Sequence, residues 1–202
     1  MDIKIKKSLR FSLTIAVITF VLAAIFSMIS SSILNGVIWI VGLIIVFIIV
    51  FIGVVFDMLG IASTAADEKP FHAMAAEKVN GAKEAVVIVR NADKFASFCN
   101  DVIGDISGIV SGTATAVVVL QIANLFGGGE GSTSQIVLSV VLTSLVAALT
   151  VGGKAIGKTF AMNSSTRIIF FAGKVVAILQ NKFKIRIFSD ENKKNSSGQK
   201  ES

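Results

Sequence analysis

Residues 11–56 contain no Asp, Glu, Lys, Arg or His. A bilayer's hydrocarbon core takes about 20 helical residues. This run is more than twice that length, so it must fold as two helices and a tight connection. The reading is a first span over 11–31, a short uncharged turn in SSSILNG (30–36), and a second span over 37–56. Trp39 then falls near an interface, where an indole ring is at home. The basic start before the run, with Lys4, Lys6, Lys7 and Arg10, has the look of a signal peptide. However, an h-region is only about 7–15 residues, so the first span is read as an uncleaved anchor.

Two further uncharged runs, 106–129 and 131–153, supply a third span over 102–126 and a fourth over 135–155. Composition agrees: 53% of residues are hydrophobic and 16% charged, where a soluble domain has about 25% charged. The net charge of +6 is read as membrane topology and not as a nucleic-acid footprint. One cysteine, Cys99, leaves no intrachain disulfide and no CxxC metal motif.

Between the second and third spans lies a polar island, 56–105. Before Asp105 it holds seven acids and five Lys/Arg. Pro70, the sole proline, marks a helix start after Asp67 or Glu68. A helix is predicted over 71–79, a turn at Asn80-Gly81, a second helix over 82–90, and a break and recap at Asn91-Ala92-Asp93. Such short amphipathic helices suit a membrane surface. In the third span Ser107, Ser111 and Thr115 share one stripe, and Gly104, Gly108 and Gly112 another. Stripes of small residues allow close helix approach; the alternative is a polar lining for an ion path.

GGGEGSTS (127–134) is a loop, and it lacks the Lys-Ser/Thr that a phosphate loop needs. Residues 164–184 read as an interfacial helix with Arg167 and Lys174 on one face, suited to an anionic leaflet. The tail, 189–202, is polar and is expected to be disordered. Four Lys/Arg precede the first span, five lie in the island and ten follow the fourth span's core. With both termini and the island cytoplasmic, every cluster obeys the positive-inside rule. The expected fold is therefore an all-α integral membrane protein of the cell membrane. It has four transmembrane helices, a helical cytoplasmic belt at 67–95 and a C-terminal interfacial helix.

The blocks Phe56-Asp57-Met58-Leu59-Gly60-Ile61-Ala62, Ala73-Met74-Ala75-Ala76-Glu77, Ala82-Lys83-Glu84-Ala85, Asn91-Ala92-Asp93-Lys94, Ile103-Gly104-Asp105 and Gly153-Lys154-Ala155-Ile156-Gly157-Lys158-Thr159 follow one another in order. This order resembles the transmembrane domain of the cyclin M / CorB–CorC (CNNM) family of magnesium transporters. There the corresponding blocks read F-S-A-S-E-x-A-L, A-x-A-E, A-x-x-A, N-P-D-R, I-G-N and G-E-I-L-P-K-S. The resemblance covers 37–179 and makes 11–188 a domain of this type with an added first helix, after a basic N-terminus at 1–10. It implies magnesium as the cation, a homodimer, and a cation site at Asp57 and Asp105 with Ser107, Asn100 and Ser63 as further oxygen donors. It also places Lys154 where the family has a glutamate. An ammonium has donors and no acceptor, so Lys154 is read as a tethered cation paired with Asp105, with Asp57 as a further partner. The family's cytoplasmic nucleotide-binding region has no counterpart here, so no regulatory ATP site is expected.

Other polar residues have plainer readings. His72 is a solvated surface residue, Cys99 a small apolar one, Asp101 an interfacial or capping carboxylate, and Lys158 and Arg167 snorkel to the interface. No Ser/His/Asp set and no HExxH motif suggests an enzyme. Two functions follow: a transporter of magnesium or another cation, or a non-transporting membrane interaction or regulatory protein that keeps the fold with an Asp–Lys pair in place of the ion.

Overall fold

The computed structural model describes residues 2–125 and 131–183. Among them there is no strand. The helices are α1 (Asp2–Asn35), α2 (Trp39–Ala65), α3 (Lys69–Ala76), α4 (Ala82–Arg90), α5 (Ala92–Ser97), a π-helical segment (Phe98–Gly104), α6 (Asp105–Leu125), α7 (Thr133–Asn163) and α8 (Ser165–Phe183). Four stretches are long and apolar enough to cross a membrane: Ser12–Asn35, Trp39–Ala65, Ala92–Leu125 and Thr133–Asn163. α1 already runs through the basic N-terminal residues, from Asp2. The expected disordered tail and most of the glycine run lie outside the described residues.

Helix ends differ from the apolar runs in an instructive way. The first turn is shorter than expected, since α1 continues to Asn35 and α2 starts at Trp39. At its far end α2 passes through Asp57 and stops only at Ala65. Nothing in 57–65 breaks a helix; Ser63 and Thr64 return their hydroxyls to the carbonyls of Gly60 and Ile61. Likewise α5, the π segment and α6 form one continuous rod, longer than the uncharged run it contains. Ser132 caps α7 by accepting from the Gln135 N–H, while the Gln135 side chain accepts from the Gly131 N–H. This exchange resembles a capping box.

α2 and the rod through α6 run antiparallel, so Gly42 meets Val118 and Gly53 meets Ser107. α2 and α7 run parallel, so Gly153 lies against Val54 and Gly157 against Met58. α1 leans on α6, where the Gln121 amide donates to the Leu34 carbonyl at 2.7 Å. One core joins α1, α2, α6 and α7 around Leu34, Val46, Val118 and Val146. A second joins the belt to the bundle: Phe71, Ala85 and Ile88 from α3 and α4 pack with Ala62, Ala161, Ile169 and Ala172. The outer faces are apolar: Phe20, Phe51, Val140 and Val151 are all exposed. Large exposed apolar faces are what lipid covers.

Of the two small-residue stripes in α6, the hydroxyl stripe is the packed one. Ser107, Ser111 and Thr115 are buried. Ser111 and Thr115 donate back to the Gly108 and Ser111 carbonyls of their own helix. In the glycine stripe only Gly104 touches a neighbour; a β-carbon at Gly108 or Gly112 would meet nothing within 4 Å.

Candidate functional site

Asp57 sits on α2 where the apolar run ends, and its carboxylate rests directly over Gly104, leaving no room for a side chain there. Its other oxygen takes the Lys154 ammonium at 2.7 Å. Asp57 keeps 13% of its side-chain surface exposed and Lys154 31%, which puts the pair at the bundle's edge and not in its centre. Helix length says the same. Asp57 lies about 27 Å along α2 from Trp39, and Lys154 about 32 Å along α7 from Thr133. Both therefore lie toward the far ends of the long apolar stretches of α2 and α7.

The close helices behind this pair depend on glycine. Gly60 is covered by the Asn100 carboxamide, Gly104 by Asp57, and Gly53 by Ser107. Asn100 lies in the π-helical segment, and its Oδ1 is enclosed with no hydrogen-bond partner. π turns within α-helical rods are frequent at functional sites. Here the wide turn lies at the level where Asn100 and Asp57 cross between the rod and α2.

The four residues expected to hold a cation, Asp57, Asp105, Ser107 and Asn100, are not gathered in one place. Ser107 and Asn100 pack at Gly53 and Gly60, seven residues apart on α2, which is about 10 Å. Two oxygens on one magnesium, each about 2.1 Å from it, lie within about 4.2 Å of each other. Asp105 is exposed and has no ion-pair partner among the described residues. Ser63 is buried, with its hydroxyl spent on the Gly60 carbonyl. Among the described residues no three His, Cys, Asp or Glu side chains gather as metal ligands.

Of the two partners expected for Lys154, the structure pairs it with Asp57 and not with Asp105. Gly153 and Gly157 turn this face of α7 onto Val54 and Met58 of α2, and Lys154, between them, reaches the α2 carboxylate. The Gly-x-x-x-Gly spacing around Lys154 is the signal that marks this face in the sequence. Cys99 is buried, as a small apolar side chain would be.

A second charged group, not anticipated from the sequence, ties the belt together. Glu68, just before α3, accepts from His72 at 2.6 Å and from Arg90 at the end of α4 at 2.5 Å. His72 is exposed, as expected for a surface residue. The hydrogen bond from His72, then the Arg90 guanidinium, hold the Glu68 carboxyl below its ordinary pKa. No protein-family model, curated protein or solved structure matches the chain.

Proposed function

We propose that this chain is a membrane-embedded interaction or regulatory protein with a cyclin M / CorB–CorC-like arrangement of spans, in which the Lys154 ammonium replaces a transported cation. The observation that carries this reading is the 2.7 Å contact between Lys154 and Asp57. A carboxylate at a membrane edge needs a counter-charge, and here the chain supplies its own. A magnesium ion would have to displace that ammonium and find near-octahedral oxygens, with Asp57 and the Asn100 carbonyl as the nearest candidates. In this reading both termini, the belt and α8 are cytoplasmic, since that arrangement puts every basic cluster inside.

The test is magnesium-dependent melting of the purified protein, paired with magnesium flux in liposomes. The expected result for the native chain is no stabilisation and no flux. The second reading, cation transport, draws on the enclosed and unpartnered Asn100 Oδ1, a carbonyl oxygen beside Asp57 on the same seam. Magnesium flux by the native chain that vanishes in both Asp57→Ala and Asn100→Ala would establish that reading and defeat the first.

A further inference from the structure

At the corner where α2 and α7 meet α8 there is a cleft of about 360 Å³, within the range of small-molecule sites, about 300–1,000 Å³. Its walls are Met58 and Leu59 from α2, Phe160 from α7, and Ile168 and Phe171 from α8; its polar members are Ser164 and Arg167. Phe160 and Phe171 are at once cleft wall and exposed surface, at 55% and 68%. Ile156, one turn before Phe160 on α7, is also exposed.

Arg167 is exposed and has no ion-pair or hydrogen-bond partner among the described residues. Neither α7 nor α8 contains an acid. The nearby acid of α2, Asp57, is occupied by Lys154. The guanidinium at this greasy corner therefore has no counter-charge from the elements that build it. Lys174, two turns along α8 on the same side, rests its ammonium over the Phe170 ring at 4.5 Å.

We propose that the cleft holds one anionic phospholipid, with an acyl chain against Met58, Leu59 and Phe160 and the phosphate on Arg167. Charge complementarity selects the occupant. Arg presents a planar fork of donors that matches phosphate oxygens two at a time, while the remaining wall, Ser164 aside, is apolar. Lys174 and Lys182 add general attraction to an anionic leaflet, whereas Arg167 alone among them lines the cleft.

The experiment is native mass spectrometry of the full chain in neutral detergent, with phosphatidylglycerol and phosphatidylcholine added in equal amounts. The expected result is one retained phosphatidylglycerol, preferred at least tenfold. Arg167→Gln should cut that preference to threefold or less, Arg167→Lys should leave it intermediate, and Lys182→Gln should leave it unchanged. Leu59→Trp, which fills the cleft while leaving Arg167, should remove binding of both lipids. Equal losses from Arg167→Gln and Lys182→Gln would overturn the proposal in favour of diffuse attraction. So would competition by soluble glycerophosphate, which has no chain to occupy the cleft. The proposal rests on the spans crossing a membrane, and retention of the chain in carbonate-washed membranes reads that premise separately.

Discussion

Replacing Gly173 by Ala probes how closely the belt is clamped to α8. In an unobstructed helix interior the change would stabilise by about 0.8–1.0 kcal/mol through helix propensity. Here a β-carbon would run into the Gly81 carbonyl oxygen, and would lie 2.9 Å from the Ala85 nitrogen and 3.1 Å from the Ala85 β-carbon. Two of these three neighbours are backbone, and they are joined to each other: the Ala85 N–H donates to the Gly81 carbonyl at 3.0 Å in the first turn of α4. Gly81 itself holds a φ of +88° and lies against the Lys174 backbone, so it cannot swing aside. Overpacking costs about 1–3 kcal/mol, and a rigid obstacle puts this case in the upper half of that range. Subtracting the propensity gain leaves a net loss of about 1–2 kcal/mol. At about 2–4 °C per kcal/mol for a chain of this size, Tm should fall by about 2–8 °C. Thermal melts in detergent check this, with Gly108→Ala and Gly112→Ala as controls that meet nothing and should hold or raise Tm. A Gly173→Ala protein as stable as the native one would show that α4 and α8 do not approach this closely.

Asp57→Asn and Lys154→Met should each lower Tm, and the double variant should recover most of the loss, with a coupling of about 1–3 kcal/mol. Additive losses would mean that the two side chains do not meet; Asp105→Asn, being exposed and unpaired, should stay within about 0.5 kcal/mol of native. Because Glu68 has a folded pKa below its ordinary value, its contribution to stability is present above that ordinary value and is lost as pH falls through the folded one. Melts across the acid range should therefore show a slope that Glu68→Gln flattens, and an unchanged slope would remove Glu68 as its source. Gln121→Leu should cost about 1 kcal/mol by abandoning the Leu34 carbonyl, and limited proteolysis should then release α1 sooner.

Much of this architecture could be read in advance, and the misses share a physical origin. The helix bounds at 82–90 were legible because Asn80-Gly81 is a turn signal, and Gly81 does adopt a positive φ. The end of α2 and the start of the rod through α6 were not, because the edge of an apolar run marks where hydrophobicity stops, not where hydrogen bonding stops. The π turn at Phe98–Gly104 leaves no mark in composition; its neighbourhood is a matter of Asp57 and Asn100 fitting over Gly104 and Gly60, contacts between residues 47 and 40 positions apart. Lys154 and Asp105 were singled out alike as ionisable groups in apolar stretches, and only Lys154 has an ion-pair partner among the described residues. Its partner depended on the rotational phase of α7, which hydropathy does not report and the flanking glycines do.

The unbroken course of α2 has a mechanical consequence. α4, α5, α7 and α8 all rest on this helix, and it is about 40 Å long. It can therefore act as a lever: tilting it by about 10° about its Trp39 end carries Ala65 sideways by about 7 Å. Ala62 is locked into the same core as Phe71, Ala85 and Ile169, so the belt and α8 must follow. Spans adjust to bilayer thickness by tilting. Any tilt of α2 would therefore carry the charged Glu68–His72–Arg90 surface along with it.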